Sequence, residues 1–360
     1  MFSCRLSIEL GFISDFSWYA GNVKNFAQIK RLLNKEQRQA VEMIEGPVMV
    51  LAGPGTGKTQ VVAVRIAEIL SRTHALPRNI LALTFTEAGT TALRTRLESI
   101  IGAEAYQVTI STFHGFANEV IGTFPYIFEL DETSQQLTEL ERYLILEEIV
   151  AKSTELKFLR PLKTPTAHVR AIGASIKTCK QEALWPKELK KLAEDELLEI
   201  NKAEKLSKLE TERRKSNAEK NIELAKIYER YQNELKATQR YDYEDMILLV
   251  VEALKTNDEL RLHYQERYQY FLVDEYQDTN NGQNALIETL ASFFPNPNLF
   301  VVGDDKQAIY RFQGASVANM LHFAKRYQGI QMITLKTNYR STPEIIVAAS
   351  EMIKHNQHQL

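Results

Sequence analysis

Apolar positions along this chain follow two spacings, and the alternation between them predicts the fold. Val48, Met49, Val50 and Leu51 form an unbroken apolar run, as in a strand buried on both faces of a parallel sheet. Asn79 to Thr86 (NILALTFT), Gln107 to His114 (QVTISTFH), Tyr270 to Glu275 (YFLVDE), Asn298 to Asp304 (NLFVVGD) and Gln331 to Lys336 repeat it. Helical stripes stand between them: Val62, Ile66, Ile69 and Leu70, then Leu93, Leu97, Ile100 and Ile101, and later the stretch EDMILLVVEAL after Tyr243. Residues 28–46 read as a helix with Leu33, Gln37, Ala40, Val41 and Ile44 near one face and Asn34 as its N-cap. The pattern is α/β with a parallel sheet.

From about Pro125 to Gln239 the strand pattern stops. Thr138 to Val150 carries Leu140, Leu144 and Ile149 in helical register. Trp185-Pro186 marks a break, and Leu224, Tyr228, Tyr231 and Leu235 recur at helical spacing within a Lys- and Glu-rich run. That run reads as a solvated helix face. The expected organisation is an N-terminal extension over 1–27, an α/β domain over 28–124 and 240–360, and an all-helical insertion over 125–239.

Composition narrows the setting. Hydrophobic content of 44% and charged content of 25% are those of a soluble globular chain. A formal net charge of −2 argues against a protein that coats duplex DNA, while leaving local phosphate contacts open. Cys4 and Cys179 are the two cysteines and lack metal-ligand spacing, which fits a reducing, cytoplasmic compartment. No apolar run approaches membrane-spanning length, and Glu9 and Asp15 spoil the N-terminus as a signal peptide.

The chemistry is centred on Pro47 to Thr59, PVMVLAGPGTGKT. A strand leads into a glycine-rich bend, where backbone N–H groups converge, and then into a helix whose dipole favours an anion. In this P-loop pattern Lys58 reaches the outer phosphates of a nucleotide and the Thr59 hydroxyl holds Mg²⁺. Ala52 stands where the strict pattern has Gly. At the end of YFLVDE, Asp274 can hold Mg²⁺ and Glu275 can orient and deprotonate the attacking water. Arg340 can neutralise charge on a transferring phosphoryl group. Gln37 can present an amide to a base edge, or be a surface residue. Phe85 and Phe113 close strands, where ligands gather, although core packing is the ordinary role of an isolated Phe.

The ordered strings LNKEQRQAV, AGPGTGKT, TFTEAGTTALRTRL, STFHGFA, VDEYQDTN, GDDKQAIYRFQGA and LKTNYRS resemble the UvrD/Rep family of superfamily 1 DNA helicases over residues 32–342. The resemblance implies a RecA-like P-loop NTPase domain interrupted by helices, with ATP and Mg²⁺ as cofactors. It implies that Gln37 reads adenine, that Tyr339 stacks on it, and that Ala52, Gly53, Pro54, Gly55, Thr56, Gly57, Lys58, Thr59 and Gln60 cradle the nucleotide. Lys58, Asp274, Glu275, Gln307 and Arg340 are then catalytic, with Thr59 and Asp274 on the metal and Gln307 sensing the γ-phosphate. Phe85, Thr112, His114, Tyr310 and Phe312 fall where the family contacts unpaired DNA; stacking on π-faces ignores sequence, as a motor requires.

Two local departures stand out. Glu87-Ala88 replace a frequent Asn-Lys after TFT, and Phe312 replaces a common Trp. The sequence also ends just past NYRS, where family helicases continue into a second RecA-like domain. The expected function is therefore the N-terminal half of an ATP-dependent, 3′-to-5′ DNA helicase that does not unwind DNA alone. The alternatives are a non-catalytic ATP- and DNA-binding remnant, or the front of a helicase-nuclease.

Overall fold

The computed structural model describes residues 26–130, 134–202, 207–304, 317–327 and 329–353. Six parallel strands form one sheet: β1 (Val48–Ala52), β2 (Ile80–Thr84), β3 (Thr109–Thr112), β6 (Tyr270–Val273), β7 (Leu299–Gly303) and β8 (Gln331–Leu335). Their order is β3-β2-β6-β7-β1-β8. In register, Val48 pairs with Phe300 on one side and Gln331 on the other.

The four central strands, β1, β2, β6 and β7, divide their apolar residues between two cores with a period of two. Val48, Val50, Ile80, Ala82, Phe300 and Val302 face one cluster. Met49, Leu81, Leu83, Leu299 and Val301 face the other. Both sheet faces are covered by helices, which explains why these central strands are apolar throughout rather than alternating, while the edge strand β8 leaves Gln331, Met332 and Thr334 exposed. The first face carries α1 (Lys35–Glu42), α2 (Lys58–Arg72) and α3 (Glu87–Ile101). The second carries α4 (Phe113–Thr123), α9 (Asp245–Thr256), α10 (Asp258–Arg267), α11 (Asn281–Ala291) and α12 (Val317–Arg326).

A third core belongs to helices outside the sheet: α5 (Glu139–Lys152), α6 (Val169–Gln181), α7 (Pro186–Lys202) and α8 (Lys208–Ala237). At their neck, β4 (Gln135–Gln136) pairs with β5 (Arg240–Tyr241), joining the way in to the way out. A final helix, α13 (Pro343–Ile353), follows β8.

Three local expectations change. The helix expected over 28–46 is split: residues 26–31 are helical, and Asn34 then caps α1 by accepting the Gln37 N–H at 2.8 Å. The third strand ends at Thr112, not His114, because the Thr112 hydroxyl accepts the Gly115 N–H and starts α4 at Phe113. In α5 the buried positions are Leu146 and Val150, whereas Leu140 and Leu144 are exposed.

Candidate nucleotide site and adjoining cleft

β1 ends at Ala52 and delivers the glycine-rich bend to the carboxyl edge of the sheet. Gly55 and Gly57 adopt positive φ, 69° and 88°, which glycine tolerates without strain. A Cβ on Gly55 would fall 2.6 Å from the Cβ of Arg340, and one on Gly57 would fall 3.0 Å from Gln37 Nε2. The Thr56 hydroxyl donates to the Gly53 carbonyl at 2.8 Å and fixes the bend. Gly57 caps α2 without a side-chain hydrogen bond, so the first-turn amides of α2 have no side-chain acceptor. This is the electrostatic layout of an anion site.

Opposite the bend, β6 delivers its acids. Lys58 Nζ lies 3.1 Å from Glu275 Oε2, and the Thr59 side chain adjoins the Asp274 carboxyl and favours its charged form. Burial, and then the charge of Glu275, push the Asp274 carboxyl up to about 6 against the pull of Lys58. Asp278 is pushed up to about 6 by the same two causes. Asp278 Oδ1 is buried without a hydrogen-bond partner. Glu275 sits at φ 52°, in the left-handed region that costs a non-glycine residue conformational energy. Three acids crowd one lysine, so the site is short of positive charge. That donor set suits a hard divalent cation taking a hydroxyl and one carboxylate from the protein and its other ligands from phosphate and water.

The sequence offered no hint of the residue that ties these acids to the neighbouring strand. Gln277 is buried; its Nε2 donates to Glu275 Oε2 at 2.9 Å and to Asp278 Oδ2 at 3.2 Å. Its Oε1 accepts the Asp304 N–H at 2.9 Å, just beyond β7. A Cβ on Gly303 would lie 2.9 Å from that oxygen, so the glycine makes room for the bridge.

The tail of β8 is stitched to the bend. Asn338 Nδ2 donates to the Pro54 carbonyl at 2.6 Å, and the Tyr339 N–H donates to the Gly55 carbonyl at 2.8 Å. Arg340 is exposed beside the loop. Tyr339 is exposed too, and its hydroxyl accepts from Asn34 Nδ2 at 2.9 Å. Gln37 is buried rather than on the surface; its Oε1 accepts the Asn34 N–H at 3.1 Å and its Nε2 donates to the Thr56 carbonyl at 2.9 Å. A base edge reaching this amide would exchange with those partners. Gln60 lies in the first turn of α2 and accepts from Arg96.

Farther along the same edge, a cleft of about 530 Å³ opens between the sheet domain and α6, lined by Phe85, His114, Lys177 and Tyr243 among others. His114 and Tyr243 stack with centroids 3.8 Å apart and planes 15° apart. Burial, then the charge of Lys177, push His114 down to about 4, leaving a neutral ring at pH 7. Thr112 is occupied locally, donating to Glu87 Oε1 at 3.0 Å. Phe113 is core. Tyr243 was not among the residues singled out from sequence, where it reads only as the lead-in to an amphipathic helix. Gln307, Tyr310 and Phe312 lie outside the described residues.

Comparison with known proteins identifies the family. Residues 33–328 match the family model described as the UvrD/REP helicase N-terminal domain. The chain is 33% identical over 327 residues to "ATP-dependent DNA helicase PcrA" of Bacillus subtilis (strain 168), covering 91% of this chain and 40% of that protein. It is 34% identical over 330 residues to "DNA helicase II" of Rickettsia typhi (strain ATCC VR-144 / Wilmington), covering 91% and 45% respectively. The chain thus spans less than half the length of the curated relatives it matches.

Proposed function

The chain belongs to the UvrD/REP helicase family, and from that premise we propose that it is the ATP-binding half of a DNA motor. The observation that carries this reading is the pairing of Lys58 with Glu275 at 3.1 Å, with Thr59 adjoining the Asp274 carboxyl. Magnesium-bound ATP would supply the transferable phosphoryl group. Lys58 then exchanges Glu275 for phosphate oxygens, which frees the Glu275 carboxylate to orient and deprotonate water. Thr59 and Asp274 would hold the cation, Arg340 would offset charge on the γ-phosphoryl group, and Gln307 would sense it. Gln37 and Tyr339 take the base. Phe85, Thr112, His114, Tyr310 and Phe312 line the path of unpaired DNA. Unwinding, 3′-to-5′ polarity and closure against a second RecA-like domain complete the proposal.

The test is ATP turnover with and without single-stranded DNA. Lys58→Ala should lower turnover by about 100-fold or more, as expected when a group that stabilises developing charge is removed. Equal turnover in the two proteins would refute the assignment.

A further inference from the structure

We propose that Lys180, on the inserted helices, is the positioning residue that fixes Tyr243 in the cleft; this rests on the cleft's being the DNA path. Lys180 lies on α6 and its side chain is fully buried. Its Nζ is 2.5 Å from Asp242 Oδ2 and 2.7 Å from Asp245 Oδ1. These two acids flank the pair Tyr243-Glu244.

They also close a turn on each other. The Asp245 N–H donates to Asp242 Oδ1 at 2.9 Å, and the Asp242 N–H donates to Asp245 Oδ2 at 3.1 Å. From α8, the Tyr231 hydroxyl donates to Asp242 Oδ2 at 3.1 Å and Gln232 Nε2 donates to Asp245 Oδ1 at 2.9 Å. One turn before Lys180, Lys177 pairs with Glu244 at 2.8 Å. All three acids of Asp242–Asp245 are therefore held by cations of one helix.

Tyr243 itself is 47% exposed, so packing alone does not hold it. Its ring rests on His114, which belongs to α4 of the sheet domain. Burying an ammonium with two carboxylates is costly, and apolar residues could fill such a space. What the ionic cluster adds is a fixed geometry: it locks the turn bearing Tyr243 and thereby links the inserted helices to the cleft wall.

The experiment measures the affinity of the chain for a fluorescein-labelled oligothymidylate, with nucleotide affinity and thermal melting as controls. Lys180→Met should weaken oligonucleotide binding by about tenfold, the scale of one lost base–aromatic stack, and Tyr243→Ala should do the same. The double variant should bind no more weakly than Tyr243→Ala alone, because the first change acts through the second residue. If the two losses multiply, Lys180 does not act through Tyr243 and the inference falls. Should Lys180→Met fail to fold, Tyr231→Phe removes only one hydroxyl from the cluster. Its loss of about threefold should vanish in the Tyr243→Ala background, and persistence there would be equally fatal. A native chain that does not bind the oligonucleotide overturns the DNA-path reading itself; a native chain that binds but fails the cycle overturns only the role of Lys180.

Discussion

At Asp274 the balance between burial and charge decides both pH behaviour and cation affinity. Its carboxyl stands at about 6 against an ordinary 3.8, so the native state keeps a proton that the unfolded chain has lost between about pH 4 and 6. Stability from this group therefore falls as pH rises through that window and is constant above it. Asp278 carries the same sign. A cation needs the deprotonated form, so its binding must expel that proton below about pH 6. Affinity for a magnesium–ATP analogue should fall by up to about tenfold for each pH unit below 6, and Asp274→Asn should remove most of that dependence. Calorimetric titrations from pH 7.5 to 5 measure it; a flat profile in the native protein would show that Asp274 is not a ligand. Residues of this kind were legible where the chemistry is local in sequence. Asn34 as a cap, Lys58 with Thr59, and the Asp274-Glu275 pair all announce themselves. Gln277 does not, because its role is created by β7 lying between β1 and β6, an arrangement only the folded sheet supplies.

Among elements, strands were read more surely than helix faces. Six apolar runs became six parallel strands; the four central ones are buried on both sides, so no choice of face had to be made there, while the edge strand β8 buries only Ile333 and Leu335. In α5 a choice did exist. Leu140 and Leu144 share the spacing of Leu146 and Val150, and only the approach of α6 and α8 makes the second pair the buried one. What fastens these helices together was equally hidden. Glu223 on α8 is buried, and its carboxylate accepts the backbone N–H groups of Lys157, Phe158 and Leu159 at 2.6, 3.0 and 2.9 Å. That nest ties the loop after α5 to α8. Glu223→Gln keeps the shape but loses the charge that strengthens three hydrogen bonds, and should cost about 2 kcal/mol of unfolding free energy. Urea denaturation followed by circular dichroism reads this directly, with nucleotide affinity unchanged because the nest belongs to the helical core. A loss under about 0.5 kcal/mol would mean that solvent already satisfies those amides.

Across the whole molecule, charge and cleft geometry together set how DNA would be held. The alternation of strands and helices announced the sheet, and the bend after β1 marked the edge proposed to take the nucleotide. The position of the inserted helices over that edge was not legible, since it depends on Lys180 meeting Asp242 and Asp245, and Asp242 lies 62 residues farther along the chain. That placement has an electrostatic consequence. The chain carries a formal net charge of −2, and both lysines lining the cleft are already paired, Lys177 with Glu244 and Lys180 with Asp242 and Asp245. Among the described residues few cations remain there to neutralise phosphates, so we expect much of the attraction to come from stacking on Phe85, Tyr243 and their neighbours. With about three phosphates neutralised, the logarithm of oligonucleotide affinity should fall with the logarithm of salt at a slope near −2. Titrations between 50 and 200 mM salt measure that slope, and Tyr243→Ala should lower affinity without changing it. A slope steeper than about −5 would instead mean that the phosphate backbone, held by basic side chains elsewhere on the surface, dominates the contact.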